Sequence, residues 1–225
     1  MLTKRANFGK MRKSYLFNFE RIPQMSDIFP FVFLISAYLL GSVCSAIIVC
    51  QALGLPDPRT QGSSNPGASN VMRIGGKKAA LITLAGDMFK GVPLVLLALY
   101  LELRSDLVSA IGLAAFLGHL YPVYFKFEGG KGVATALGVL LALYWPLGLG
   151  VVALWLMVFA AFRISSLSSI LAFTVAPIAA WFICPQYMLG IVGMSILLIA
   201  RHKTNIKALI RGEERKFGEK KETSE

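Results

Sequence analysis

A chain of 225 residues that is 56% hydrophobic, with mean hydropathy +0.64, is one polytopic membrane domain and not a soluble globule. Its net charge of +11 follows hydrophobic spans in loops and tails, which excludes a nucleic-acid-binding face and points to anionic head groups or a phosphorylated substrate. Cys44, Cys50 and Cys184 lie in apolar stretches without CxxC spacing, so they form neither a disulfide framework nor a metal site.

In chain order, residues 1–24 carry Lys4, Arg5, Lys10, Arg12, Lys13 and Arg21. No apolar h-region or small-residue cleavage site follows them, so this basic extension is not a signal peptide. Met25 is a natural start just before the first span, and a mis-assigned upstream start is the expectation for 1–24, with a surface-lying arm as the other reading. Seven apolar segments follow, at 29–53, 79–101, 107–125, 133–144, 147–162, 167–183 and 187–200. A full span needs about 20 apolar residues, which the first three reach easily. Tyr144-Trp145-Pro146 separates the fourth and fifth, which read as two short helices or one long broken one. The expected fold is an all-α polytopic membrane protein of about seven transmembrane helices, with five as the alternative. Residues 25–212 form a single membrane domain, and 213–225 are expected to be a charged flexible tail.

Charge orients these spans. With the N-terminus outside, the cytoplasmic loops hold Arg59, Arg73, Lys77 and Lys78, then Lys126 and Lys131, then Arg163, then the tail from Arg201. The external connections hold only Arg104, beside Glu102 and Asp106. The C-terminus is therefore expected in the cytoplasm. The basic residues before Met25 oppose this orientation.

Four glycine-rich or basic islands interrupt the spans: Gly62–Asn70, Gly75-Gly76-Lys77-Lys78, Gly129-Gly130-Lys131-Gly132 and Arg201-His202-Lys203-Thr204-Asn205. Glycines turn backbone N–H groups toward an anion and cations neutralise it, so each island reads as a phosphate holder. The run Gly62–Ser69 is one residue short of a Walker A loop, with Ala68 where the lysine belongs. That argues against a nucleotide triphosphatase but leaves a nest for one phosphate; an ordinary turn is the plainer reading of these residue types. Lys131 sits between glycines that admit a close ligand, although most loop lysines are topology anchors. Asp87 and Lys90 share a helix face within the second span, where a structural ion pair and a catalytic role are both open. His119 ends the third span, a position more often structural than basic, and His202 and Asn205 share one face of a helical turn. No metal-ligand cluster and no G-x-S-x-G elbow is present.

Six motifs carry a resemblance. They are Gly41-Ser42; the run from Gly62 through Asn65-Pro66-Gly67-Ala68-Ser69-Asn70 to Arg73; Asp87-x-x-Lys90-Gly91; Gly118-His119-x-x-Pro122-Val123; Gly129 to Thr135; and Arg201-His202-x-x-Asn205-Ile206. In this order and spacing, over about residues 25–215, they resemble the bacterial acyl-phosphate:glycerol-3-phosphate acyltransferase (PlsY) family. Ser64 stands where that family commonly has glycine, and Ser69 where it commonly has threonine.

The resemblance implies transfer of a fatty acyl group from acyl phosphate to the sn-1 hydroxyl of glycerol 3-phosphate, giving lysophosphatidate and phosphate without a cofactor. It implies that Gly62, Ser63, Asn65, Gly67, Ala68, Ser69 and Asn70 cradle the acyl-phosphate head, and that Ser63, Arg73, Lys131, His202 and Asn205 contact glycerol 3-phosphate. Asp87, Lys90, His119, Gly129, Gly130 and Gly132 take supporting roles. The implied partners are the two substrates, the bilayer of a bacterial inner membrane and the soluble enzyme that makes acyl phosphate. No side chain stands out as general base, and a substrate phosphate oxygen is the candidate for that task. The residues alone leave one competitor, an organophosphate transporter, which lacks support because no internal repeat is visible.

Overall fold

The computed structural model describes residues 23–218, and every regular element among them is helical. Residues 1–22, nearly all of the expected basic extension, and 219–225 lie outside the described residues. Contacts divide the chain into units 1–32 and 33–225; the described part of the first is the start of one helix. The helices are α1 (Pro23–Gly41), α2 (Ser45–Ala52), α3 (Ala68–Phe89), α4 (Pro93–Tyr100), α5 (Ser105–Leu120), α6 (Val133–Leu143), α7 (Trp145–Phe162), α8 (Ser165–Ile183), α9 (Met188–Arg201) and α10 (Lys203–Ile210).

Five stretches are long and apolar enough to cross a bilayer: Ile28–Ala52, Ala68–Tyr100, Ser105–Phe125, Trp145–Phe162 and Ser165–Ile183. Val133–Leu143 and Pro185–Arg201 are shorter apolar helices. All seven expected segments therefore fall on helices, and five meet the length criterion. The fifth, expected to be short, reaches 18 residues because Trp145 and Pro146 join its first turn, where proline's missing N–H is harmless. Tyr144, extended at φ −157°, resolves the open point at 144–146: α6 and α7 are two helices packed on each other.

Two expected segments are drawn differently. The first breaks at Ser42–Cys44, between α1 and α2. The second begins at Ala68 and not at 79, because Gly67 is extended and starts the helix inside the first island. Gly75 and Gly76, read as a loop, lie within α3 and kink it at Gly76 (φ 74°, ψ −170°). Within the stretch expected to be a flexible tail, Phe217 makes contacts with the bundle. There the Phe217 N–H donates to the Arg163 carbonyl at 2.7 Å and the Phe217 ring meets Phe159 edge-on at 5.4 Å.

In lipid, helices gain nothing from hiding apolar surface from each other, so close packing and hydrogen bonds hold them together. Small residues stand at the crossings. Gly138 faces the Met88 backbone, and Gly190 faces Ser109, whose hydroxyl donates to the Tyr187 carbonyl at 2.8 Å and accepts from the Gly190 N–H at 2.7 Å. Helix α5 is central, burying Val108, Ile111, Ala115, Phe116 and Leu120 against α4, α6 and α9. Its Gly118 touches α1 so closely that a Cβ would run into the Tyr38 carbonyl oxygen and lie 2.7 Å from the Ser42 nitrogen. Because the neighbouring atoms are backbone, they cannot turn aside. Gly118→Ala is expected to cost roughly 3 kcal/mol and lower the melting midpoint in detergent by roughly 5–10 °C. Gly150→Ala, on α7 with open space around it, should leave the midpoint unchanged or slightly higher. Equal midpoints for the two variants would refute the α1–α5 crossing.

Candidate functional site

The first island folds around Asn70. Its amide oxygen accepts from the Ser63 N–H at 2.9 Å, and its amide nitrogen donates to the carbonyls of Pro58 (2.8 Å) and Gln61 (2.9 Å). Both ends of the buried side chain are thus engaged with loop backbone. Asn70, expected to help cradle the acyl-phosphate head, gives the loop its shape through these bonds. Ser64 sits in left-handed backbone at φ 54°, a conformation natural to the glycine of the related pattern. Gly67 and Ala68 bring the loop to the positive end of α3, with Ser69 exposed in its first turn and 3.4 Å from the Ser165 hydroxyl. Arg59 clamps Asp57 (2.6 Å) and reaches Glu128 at 3.1 Å, tying this loop to the third island.

The third island rests on the end of α5. The Gly130 N–H donates to the His119 carbonyl at 3.2 Å, and a Cβ on Gly130 would strike the His119 ring and the Pro66 carbonyl. The Arg201 guanidinium donates to the carbonyls of Gly129 (2.9 Å) and Gly130 (3.3 Å) and lies 5.5 Å over the Tyr121 ring. Gly132 caps α6, so Lys131 precedes a helix N-terminus. Beneath the cradle, Asp87 pairs with Lys90 at 3.0 Å and lies 3.7 Å from His119. The Lys90 ammonium also donates to the Val43 carbonyl at 2.7 Å, in the break between α1 and α2. All three side chains are buried, so these charges hold one another and a helix break together instead of facing an opening.

Three islands converge. A cavity of about 400 Å³ is lined by Ser63, Ser64, Asn65, Lys131, Arg201, Lys203, Thr204, Asn205 and Glu214. At its wall the Lys131 ammonium donates to the Asn205 amide oxygen at 2.5 Å, and the Asn205 amide nitrogen donates to Glu214 at 2.7 Å. The Ser166 hydroxyl donates to the same Glu214 oxygen. Burial pushes the Lys131 amine below the usual lysine range, Arg73 and Arg201 add to that, and Glu214 opposes it. His202 is buried beside the cavity with Nδ1 donating to the Leu198 carbonyl at 2.8 Å. Burial pushes its imidazole down to about 4, with Lys131 and Arg201 adding to the effect, so it is neutral with Nε2 as an acceptor.

Of the expected contact residues, Ser63, Asn65, Lys131 and Asn205 line this cavity. Arg73 is exposed on α3 and lies outside the lining, near enough to Lys131 to act on its charge. The second island does not join the others: Lys77 and Lys78 are exposed along α3. Arg201 stands in the fourth island and the sixth motif of the sequence but was given no contact role of its own, and Glu214 was not singled out, being one charge among many in a polar tail.

Residues 31–212 match the family model described as glycerol-3-phosphate acyltransferase. The chain is 54% identical over 187 residues to the glycerol-3-phosphate acyltransferase of Methylococcus capsulatus, covering 82% of this chain and 94% of the relative. It is 50% identical over 191 residues to that of Vibrio vulnificus, covering 83% and 92%. A solved structure of PlsY (YgiH), an integral membrane glycerol 3-phosphate acyltransferase in its glycerol 3-phosphate form, superposes with a TM-score of 0.80 at 37% identity, covering 84% of this chain and 96% of that one. Its lysophosphatidic acid form gives 0.79 at 36%.

The His202 environment makes a pH prediction. The folded imidazole titrates near 4, below the ordinary value of about 6.5, so the unfolded chain binds the extra proton between the two. Stability from this group is complete above about 6.5 and is lost as pH falls toward 4. The melting midpoint of the wild type should fall across that window, and the fall should be shallower in His202→Gln. Parallel midpoint curves for the two proteins would contradict a neutral buried imidazole.

Proposed function

The chain belongs to the glycerol-3-phosphate acyltransferase family, and we propose that it transfers a fatty acyl group from acyl phosphate to the sn-1 hydroxyl of glycerol 3-phosphate. The observation that carries this reading is the convergence of three cationic or glycine-rich islands on one cavity at the end of an apolar helix bundle. The hydroxyl oxygen attacks the acyl carbonyl carbon, the bond from that carbon to the phosphate oxygen breaks, and inorganic phosphate leaves. The hydroxyl proton ends on a phosphate oxygen. The leaving group is already good, so the protein supplies placement and countercharge.

Lys131, Lys203 and Arg201 provide cations around the cavity, and Ser63 and Asn65 provide polar contacts. In this reading Lys131, Arg73 and Asn205 hold the glycerol 3-phosphate, and the α3 N-terminus with Gly67, Ala68 and Ser69 receives the acyl-phosphate head. A neutral His202 suits a glycerol hydroxyl better than a phosphate oxygen, because its Nε2 accepts. The acyl tail needs an apolar bed. A cavity of about 390 Å³ between α1 and α5, lined by Leu34, Ile35, Tyr38, Leu113 and Leu117 among others, supplies one. It meets the polar site through Tyr38, whose hydroxyl donates to the carbonyl of Tyr121, the residue under Arg201.

Seven crossings, an external N-terminus and a cytoplasmic cavity in the bacterial inner membrane complete the proposal. Exposed aromatics at both ends, Tyr100, Trp145 and Trp181 at one and Tyr121 and Tyr124 at the other, suit a bilayer's two interfaces, and the loop charges supply the orientation. Acyl phosphate would come from a soluble cytoplasmic enzyme. Cysteines introduced at Ser64 and Gly129 should resist an impermeant thiol reagent in intact cells and label after permeabilisation, whereas one at Ser105 should label from the periplasm. Labelling of all three from outside would overturn the orientation.

The reaction is tested with purified protein, palmitoyl phosphate and glycerol 3-phosphate, reading lysophosphatidate without CoA or acyl carrier protein. Lys131→Ala should lose about 30- to 1000-fold in turnover, the roughly 2–4 kcal/mol attached to a charged phosphate partner. Arg73→Ala should lose a comparable factor, and Ser69→Ala only about tenfold. Near-normal turnover in Lys131→Ala would reduce that residue to a topology anchor.

A further inference from the structure

We infer that Glu214 is a positioning residue for Lys131, acting through the side-chain amide of Asn205. The inference rests on the reading of this cavity as the glycerol 3-phosphate site. A carboxamide has a donor end and an acceptor end of nearly the same shape, so its neighbours decide which way it faces. Here the neighbours have opposite charge: an ammonium donates to the oxygen end at 2.5 Å, and a carboxylate accepts from the nitrogen end at 2.7 Å. Turning the amide over would set oxygen against carboxylate and NH₂ against ammonium. Without the carboxylate, only Lys131 itself would hold the amide, and Lys131 would lose a partner of fixed direction.

Glu214 is itself fixed. Past α10, left-handed Gly212 (φ 69°) turns the chain back, and the Glu213 N–H donates to the Ala208 carbonyl at 2.8 Å. Phe217 pins the far side through its hydrogen bond to Arg163 and its ring contact with Phe159. Between these two anchors, the Ser166 hydroxyl donates to the same carboxylate oxygen that takes the Asn205 amide. The stretch after α10 thereby joins α8 and α10 at one oxygen atom, and reaches Lys131 of the third island through Asn205.

Simple electrostatics predicts the opposite of positioning. A carboxylate in a cationic cavity repels phosphate, so removing it should tighten binding of an anion. The positioning role predicts weaker binding in spite of that gain. Glycerol 3-phosphate affinity, read by calorimetry on the full-length protein in detergent, therefore tests the inference without any acyl donor. Glu214→Ala should weaken binding about tenfold. Glu214→Gln, which keeps an acceptor oxygen for Asn205 but no charge, should return to within about threefold of wild type. In an Asn205→Ala background, Glu214→Ala should add no further loss, because the amide it acts through is gone. Ser166→Ala, a gentler change, should weaken binding about threefold and only when Asn205 is present; it decides the matter where Glu214→Ala yields no folded protein.

Unchanged or tighter binding in Glu214→Ala would make Glu214 a competing anion and overturn the inference. Losses that multiply in the double variant would overturn it as well, since Glu214 would then act by another route. A wild type that binds glycerol 3-phosphate yet makes no lysophosphatidate from palmitoyl phosphate would sink the donor assignment and leave the role of Glu214 to be decided by the same affinity series.

Discussion

An ammonium held mostly out of water beside a helix N-terminus is the constraint from which the rest of this site follows. Lys131 lies just before α6, whose positive end disfavours a cation, and Arg73 and Arg201 add to the discomfort. Burying such a group without partners is expensive. The fold answers with Asn205 as direct acceptor and Glu214 as the nearest opposing charge. What is uncomfortable for a lysine is favourable for an anion. The same helix end, the same cations and the serine-rich loop form a region whose electrostatics suit the phosphate of the proposed substrate.

That arrangement needs rigid backbone, and the membrane bundle supplies it from below. Gly130 can approach His119 only because it has no side chain, and His119 is placed by α5, the most enclosed of the five long apolar stretches. Helix α5 in turn reaches α1 through Gly118. The buried Asp87–Lys90 pair belongs to this framework, since Lys90 stitches α3 to the broken end of α1 through the Val43 carbonyl. Its charges satisfy each other and a helix break, as a structural ion pair does.

The helical class and all seven apolar segments were legible in the sequence, because long runs of Leu, Val, Ile and Phe between charged loops have no other stable arrangement in lipid. Helix ends were less legible. Gly75-Gly76 has the composition of a turn, yet packing around α3 carries the helix through it with a kink, and Gly67, deep in the first island, is where it starts. That Ser63, Asn65, Lys131 and Asn205 belong to polar islands was legible because their chemistry is unusual next to lipid, but that they line one cavity was not, since residues so far apart in the chain meet only in the fold. The part Asn70 plays in shaping the loop was not legible, because a sequence cannot say whether an amide faces a ligand or its own loop. Glu214 was invisible for a different reason. Its significance depends on a turn at Gly212 and an anchor at Phe217, and neither gives a polar tail any distinguishing composition.

The position of the cavity follows from the solubility mismatch between its proposed ligands. Glycerol 3-phosphate lives only in water, whereas an acyl phosphate carries a tail that belongs in lipid. A site wholly in either phase would have to pull one of them across a solvation barrier of many kcal/mol. A cavity at the end of the bundle avoids that, provided that its polar wall and an apolar groove share a boundary narrow enough to keep the reacting carbonyl near both. Tyr121 stands at that boundary. Its ring lies under the Arg201 guanidinium on one side, and its carbonyl takes the Tyr38 hydroxyl from the apolar groove on the other. An aromatic ring tolerates both neighbours, apolar across its face and attractive to a cation above it. The proposed transfer demands little chemistry of the protein once the two ligands meet there, and a site of countercharges and backbone suits that demand.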